Sequence, residues 1–249
     1  LTANTTYHYA IYEFDGSGGS ECYRVSDELT GSATTLPIPP AITHTGTTPA
    51  AADISQGATN TILYQVEVEV SDGPATLTQL VTATGGTFDS DDLDNFKLWF
   101  STDASFNSAS DVLLVTISDP TTGDQTFTVS NQVFPVGTRY LFITGDVDAA
   151  ATIGHTVSCA PDADGDFTYT EDETNSGSSF AAANAMTIVG VPELQLEYPV
   201  STNLSCGGTI PFGDLAITDH ADLTFRIRNT GTADLTFSAL NIAGSNPDQ

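Results

Sequence analysis

The sequence predicts an all-β protein, built as tandem antiparallel β-sandwich domains within 249 residues. Three observations carry this expectation. No window longer than a few residues keeps a 3.6-residue apolar period, whereas several segments alternate apolar and polar residues with a period of two. Those segments are rich in β-branched and aromatic residues and are punctuated by Gly, Asp, Asn and Pro, as short strands joined by turns are. Hydrophobic residues make up 39% of the chain, enough for packed cores and too many for a solvated acidic tail.

The elements follow in order. Tyr7 to Phe14 reads as a strand and runs into the loop Asp15 to Ser20. Ile62 to Val70 alternates cleanly, with Tyr64, Val66, Val68 and Val70 on one face. Its other face begins with Leu63 and continues with Gln65, Glu67 and Glu69. Asp72-Gly73-Pro74 then forms a turn toward a strand over 75–81. Further strands are predicted over 96–101, 112–118, 125–130, 138–145, 166–170, 186–190, 223–228 and 235–242.

Two proline-dense stretches divide the chain. Leu36-Pro37-Ile38-Pro39-Pro40 favours an extended spacer. Pro192 and Pro199 bracket a further strand at a second boundary. The expected organisation is a leading piece 1–36, a linker 37–40, a central sandwich 41–190 and a trailing piece 191–249. Neither end piece is long enough for a full sandwich of about 100 residues. The strand pattern under way at Leu1 and the stop at Gln249 read as a segment of a longer polypeptide.

The balance of 32 acidic against 5 basic residues gives a net charge of −27. Such a surface repels phosphate backbones and acidic lipid headgroups, which excludes nucleic acid and anionic membranes as partners. The longest aliphatic run, Val112 to Val115, is far below the roughly 18–20 residues of a membrane span. Cys22, Cys159 and Cys206 form no CxxC pair and have no histidine at zinc-ligand spacing. They read as isolated thiols, with one disulfide and one leftover cysteine as the alternative.

Three stretches resemble known modules of bacterial surface proteins. Leu1, Thr5 and Tyr7, in the run to Phe14, resemble the closing half of a fibronectin type III domain. That resemblance implies a Tyr7 hydroxyl anchored on nearby backbone. Ile210-Pro211-Phe212-Gly213 and the run from Leu223 to Leu235 resemble the immunoglobulin-like choice-of-anchor D domain. There Asn229 and Gly231 are implied to shape a turn between two strands. Asp94 to Phe100, Asp111 to Leu114 and Tyr140 to Val147 resemble a β-sandwich module of long secreted Bacteroidetes proteins. Together they imply an internal segment of a type IX-secreted cell-surface adhesin or filament protein.

Two acidic clusters are candidate calcium sites. Asp162, Asp164, Asp166 and Glu173 fall at positions 1, 3, 5 and 12 of an EF-hand-like loop. The glycine, however, is at position 4, and Phe167 occupies position 6 where the sharp turn needs it. No amphipathic helices flank this loop, and an acidic β-turn is the competing reading. Asp89, Asp91, Asp92 and Asp94 form the second cluster, where dense carboxylates repel unless hydrogen-bonded, protonated or bridged by a cation.

Catalytic signals are sparse. His8, His44, His155 and His220 are scattered, and none sits beside a GxSxG elbow or an HExxH pair. Trp99, Tyr12 and Tyr64 are candidates for a sugar-stacking platform, although rings in alternating strands are commonly core. The expectation is a non-enzymatic, extracellular stalk or filament segment for adhesion or display. Its partners would be further domains of the same chain or neighbouring protomers. A carbohydrate-binding accessory region of a secreted hydrolase, recognising surface glycans, is the first alternative. A fibre subunit assembling by strand addition is the second.

Overall fold

The computed structural model describes residues 1–19, 22–24, 28–210 and 222–239. It is all-β, and a single 3-10 turn at Asp164–Asp166 is its only helical element among the described residues. The leading piece holds β1 (Thr6–Ile11), β2 (Phe14–Asp15), β3 (Cys22–Tyr23) and β4 (Leu29–Thr34). The central block holds β5 (Ala41–Thr47), β6 (Asp53–Ser55), β7 (Thr61–Ser71), β8 (Ala75–Gly86) and β9 (Leu93–Ser101). It continues through β10 (Val112–Ser118), β11 (Gln125–Phe134), β12 (Gly137–Val147), β13 (Thr156–Ala160) and β14 (Phe167–Tyr169). β15 (Thr174–Asn175), β16 (Ser179–Phe180) and β17 (Met186–Val189) complete it, and β18 (Leu194–Glu197) with β19 (Arg226–Asn229) belong to the trailing piece.

The central block is a sandwich of two sheets. One has the order β10-β9-β12-β7-β5-β15, with β16 also on β5; the other runs β11-β8-β13-β17-β6, with β14 also on β8. Asp72, at φ 66, turns the chain out of β7 toward β8 in the opposite sheet. The core between the sheets is built from inward positions such as Val66, Val68, Leu80, Phe96, Leu98, Phe127, Leu141 and Val157. Burying even one such side chain contributes about 1.5–3 kcal/mol, so the alternating pattern fixes which face of each strand turns inward.

Two strands depart from the expected pattern for physical reasons. A bulge interrupts the β7–β12 register between Ile143 and Thr144, leaving Leu63 as the extra residue on β7. Leu63 therefore turns into the core beside Tyr64, rather than onto the polar face. Central strand β12 is buried on both faces, because Phe106 from the β9–β10 loop covers its outer side. The Phe106 ring lies 5.4 Å from Phe142 and 5.3 Å from Trp99. This is why Tyr140 to Ile143 reads as a continuous apolar run.

Outside the sandwich, β1 pairs with β4 and β18 with β19 among the described residues. Thr2 N–H donates to the Tyr7 hydroxyl at 2.5 Å, a backbone anchor of the kind expected for that tyrosine. Asn229 Oδ1 accepts from the Glu193 and Gly231 amides, and its Nδ2 donates to the Ala233 carbonyl, so it does organise the turn after β19. The strand expected over 235–242 is not formed at 235–239; positions 240–242, like Pro211, Phe212, Gly213 and His220, lie outside the described residues. Cys22, Cys159 and Cys206 are all free thiols.

Candidate functional site

The loop from Asp162 to Glu173 is organised around a histidine contributed by β5. Ile42, His44 and Gly46 point inward from that strand, and His44 is fully buried. A carboxylate only accepts, so Nδ1–H of His44 donates to Asp164 Oδ1 at 2.7 Å, and Nε2 accepts the Tyr169 hydroxyl at 2.8 Å. Phe167 stacks on the imidazole with ring centroids 4.0 Å apart. Burial holds His44 below its ordinary pKa, against opposing pulls from the Asp164 and Glu173 carboxylates.

Other carboxylates in this loop are also occupied by protein donors. Asp166 Oδ2 accepts the Asp162 and Ala163 amides at 2.6 and 3.0 Å, closing the 3-10 turn. Glu171 holds the Thr76 amide and hydroxyl at 2.7 and 2.9 Å, tying the loop to β8. Phe167 to Tyr169 is the strand β14, as the competing turn reading expected. Asp162, Asp164, Asp166 and Glu173 do not bring three donor atoms within 4.8 Å of one another.

The second cluster converges more closely. Asp92 is fully buried at the start of β9. Its Oδ1 accepts the Thr152 amide at 2.6 Å, and its Oδ2 accepts the Asp89 amide at 2.9 Å and His155 Nδ1 at 2.7 Å. Burial pushes the Asp92 carboxyl up, but these donors together hold it below the usual carboxylate range. Donor atoms of Asp89, Asp92 and His155 lie within 4.8 Å, making these three the residues able to hold a metal here. Asp91 is exposed, and its amide donates to Asp89 Oδ1 at 3.0 Å. Asp94 turns instead toward Asp148; burial, then Asp148, Asp146 and Asp119, push its carboxyl up.

Several partners in these networks have no local sequence signal. His44 and Asp164 are 120 residues apart, and His155 and Asp92 are 63 apart. Sheet topology alone joins them. A weak signal did exist at Ala41 to Thr47, where positions 42, 44 and 46 alternate, but histidine and glycine do not read as an apolar face.

Chemically, Asp164–His44–Tyr169 is a carboxylate–imidazole–hydroxyl chain that ends inside the core. Burial pushes the Tyr169 phenol far above its ordinary range, so this relay delivers no nucleophile to solvent. A cleft of about 630 Å³ between the leading piece and the sandwich is lined by prolines and by Asp72, Glu171 and Asp172, with no histidine or cysteine. Of the candidate stacking rings, Trp99 and Tyr64 are buried, and Tyr12 alone is exposed. Trp99 Nε1–H donates to Thr144 Oγ1 at 3.0 Å and faces Phe106. His8 lies exposed on β1.

Fold and site together define an all-β sandwich protein whose acidic loops are cross-tied by two histidines, the buried His44 and the half-buried His155. No protein-family model matches the chain, and no curated protein matches it either. No helix among the described residues is long and apolar enough to cross a membrane.

Proposed function

We propose that this chain is a load-bearing structural segment of an extracellular bacterial surface protein, serving adhesion or display without catalysis. One observation carries the reading: the first two strands of the central sandwich, β5 and β6, pair in parallel with its closing strands, β15 and β16 on β5 and β17 on β6. β6 pairs with β17 in the register Asp53↔Thr187, Ile54↔Ile188 and Ser55↔Val189. β5 pairs in parallel with β15 and β16, at Ala41↔Thr174 and Thr45↔Ser179. When the two ends of such a domain are pulled apart, parallel neighbours are drawn in opposite directions along their own axes. Tension then loads their hydrogen bonds together in shear, where antiparallel terminal strands would unzip one bond at a time.

Sheet edges support the same reading. β10 carries a bulge between Leu113 and Val115, and the β11 ladder is interrupted between Thr128 and Gln132. Such irregular edges discourage pairing with another chain, as does a surface of nearly one charge sign. The test is surface labelling: antibodies against residues 41–190 stain intact cells of the source bacterium. Staining only after permeabilisation overturns the extracellular assignment.

Self-assembly by strand addition is a second reading, and one observation favours it. In the β1–β4 hairpin, Tyr9 and Ile11 alternate with His8 and Ala10, and both Tyr9 and Ile11 are exposed, as is Leu29 opposite Ile11. Sedimentation that stays monomeric at all concentrations and calcium levels removes this reading.

A further inference from the structure

Lys97 is the only lysine in the chain. It projects from β9 on the outer face of its sheet, and its side chain is only 17% exposed. Its Nζ lies 3.0 Å from the side-chain oxygen of Asn60 and 2.5 Å from Asp146 Oδ2. The amide carbon of Asn60 is one bond beyond that oxygen, so a short movement of Nζ brings it to the roughly 3–3.5 Å approach of reacting atoms. Asp146 sits on β12, between the strand carrying Lys97 and the segment that leads into β7. Its carboxylate is fixed by two further donors, the Asn60 amide N–H at 2.8 Å and Asn95 Nδ2 at 3.0 Å. A primary amine, a carboxamide and a buried carboxylate thus meet at one point, with positions set by three different strands or their flanks.

We propose that Lys97 and Asn60 form an intramolecular isopeptide bond, with Asp146 as the proton carrier. Asp146 takes a proton from the Lys97 ammonium, leaving a neutral amine. Nζ attacks Cγ of Asn60, the new C–N bond forms, and the bond from Cγ to the amide nitrogen breaks. The proton released by Nζ passes to the leaving nitrogen, which departs as ammonia, and the proton held by Asp146 then converts that ammonia to ammonium. Asp146 ends as it began, and no oxidant or external reagent is consumed. The product clamps β9 covalently to the start of β7 across β12. A clamp there keeps three adjacent strands joined even if their ladders are pulled open. The proposal stands on this geometry and is independent of the load-bearing reading.

Intact-mass spectrometry of the denatured chain tests it. The expected result is a loss of about 17 Da, the mass of ammonia, from the sequence mass. Digestion at acidic residues should yield one branched peptide joining Asn60 to Lys97. Lys97→Arg keeps the cation, Asp146→Asn removes the proton carrier, and Asn60→Gly suits the left-handed backbone at φ 54. All three should show the full sequence mass. Melting of Lys97→Arg shows that the fold survives while the bond is absent. An unchanged wild-type mass overturns the proposal. So does a loss that maps elsewhere, or a loss of about 18 Da mapping to Lys97 and Asp146, which would mark water leaving instead.

Discussion

His44 on β5 donates from Nδ1 to Asp164 at 2.7 Å, across 120 residues of sequence, and thereby pins the Asp162–Glu173 loop to the sandwich core. The imidazole is buried between Phe167 and Phe180 and is held neutral by that burial. Its folded pKa lies below the unfolded value of about 6.5, so the unfolded chain binds the extra proton first. Stability from this group is complete above about pH 6.5 and declines as pH falls below it. Thermal melts between pH 7.5 and 5 should show this decline, and His44→Phe should flatten that part of the profile. His44→Ala should cost about 2–4 kcal/mol at neutral pH, through the cavity it leaves and the orphaned Tyr169 hydroxyl.

Asp92 has the opposite sign. Its folded pKa is held below the unfolded value, so its contribution is present above about pH 4 and is lost as pH falls through the folded pKa. Replacing it by alanine removes the acceptor of the part-buried Thr152 and Asp89 amide bonds, at a cost of about 1–3 kcal/mol. Denaturant titration of Asp92→Ala and Asp92→Asn separates the two contributions. Asparagine retains part of the acceptor capacity and should cost less.

Asp94 and Asp148 are held against each other, and here a charge is a liability. The Asp94 pKa is raised in the folded state, so acidification relieves the repulsion and neutral pH carries the full penalty. Asp94→Asn should therefore stabilise the fold at pH 7 by a few tenths of a kcal/mol, a small gain because Asp94 is solvent-screened. Sodium chloride should reproduce the gain in the wild type. Calcium at equal ionic strength should add nothing further, and a larger rise with calcium than with sodium would mark coordination instead.

Strand content was legible because period-two alternation writes itself directly into β7. β5 was not, since its inward positions are Ile42, His44 and Gly46. Gly46 is small because the Tyr64 ring lies where its Cβ would stand, a constraint visible only once β5 and β7 are paired. Leu63 was misplaced because a bulge changes the facing of one residue without altering composition. In the candidate site, the acidic members Asp89, Asp92 and Asp164 stood out by their density. Their histidine partners did not, because His44 and His155 reach them through topology. The Lys97 site has no local sequence signal for the same reason: Asn60 and Asp146 lie 37 and 49 positions away.

The load-bearing reading rests on the β6–β17 and β5–β15 parallel pairs, and single-molecule pulling between residues 41 and 190 addresses it most directly. The expected record is one cooperative, high-force rupture of the sandwich, lowered in Ile54→Pro, where proline removes a ladder donor opposite Ile188. Gradual extension at low force, unchanged by Ile54→Pro, would contradict it.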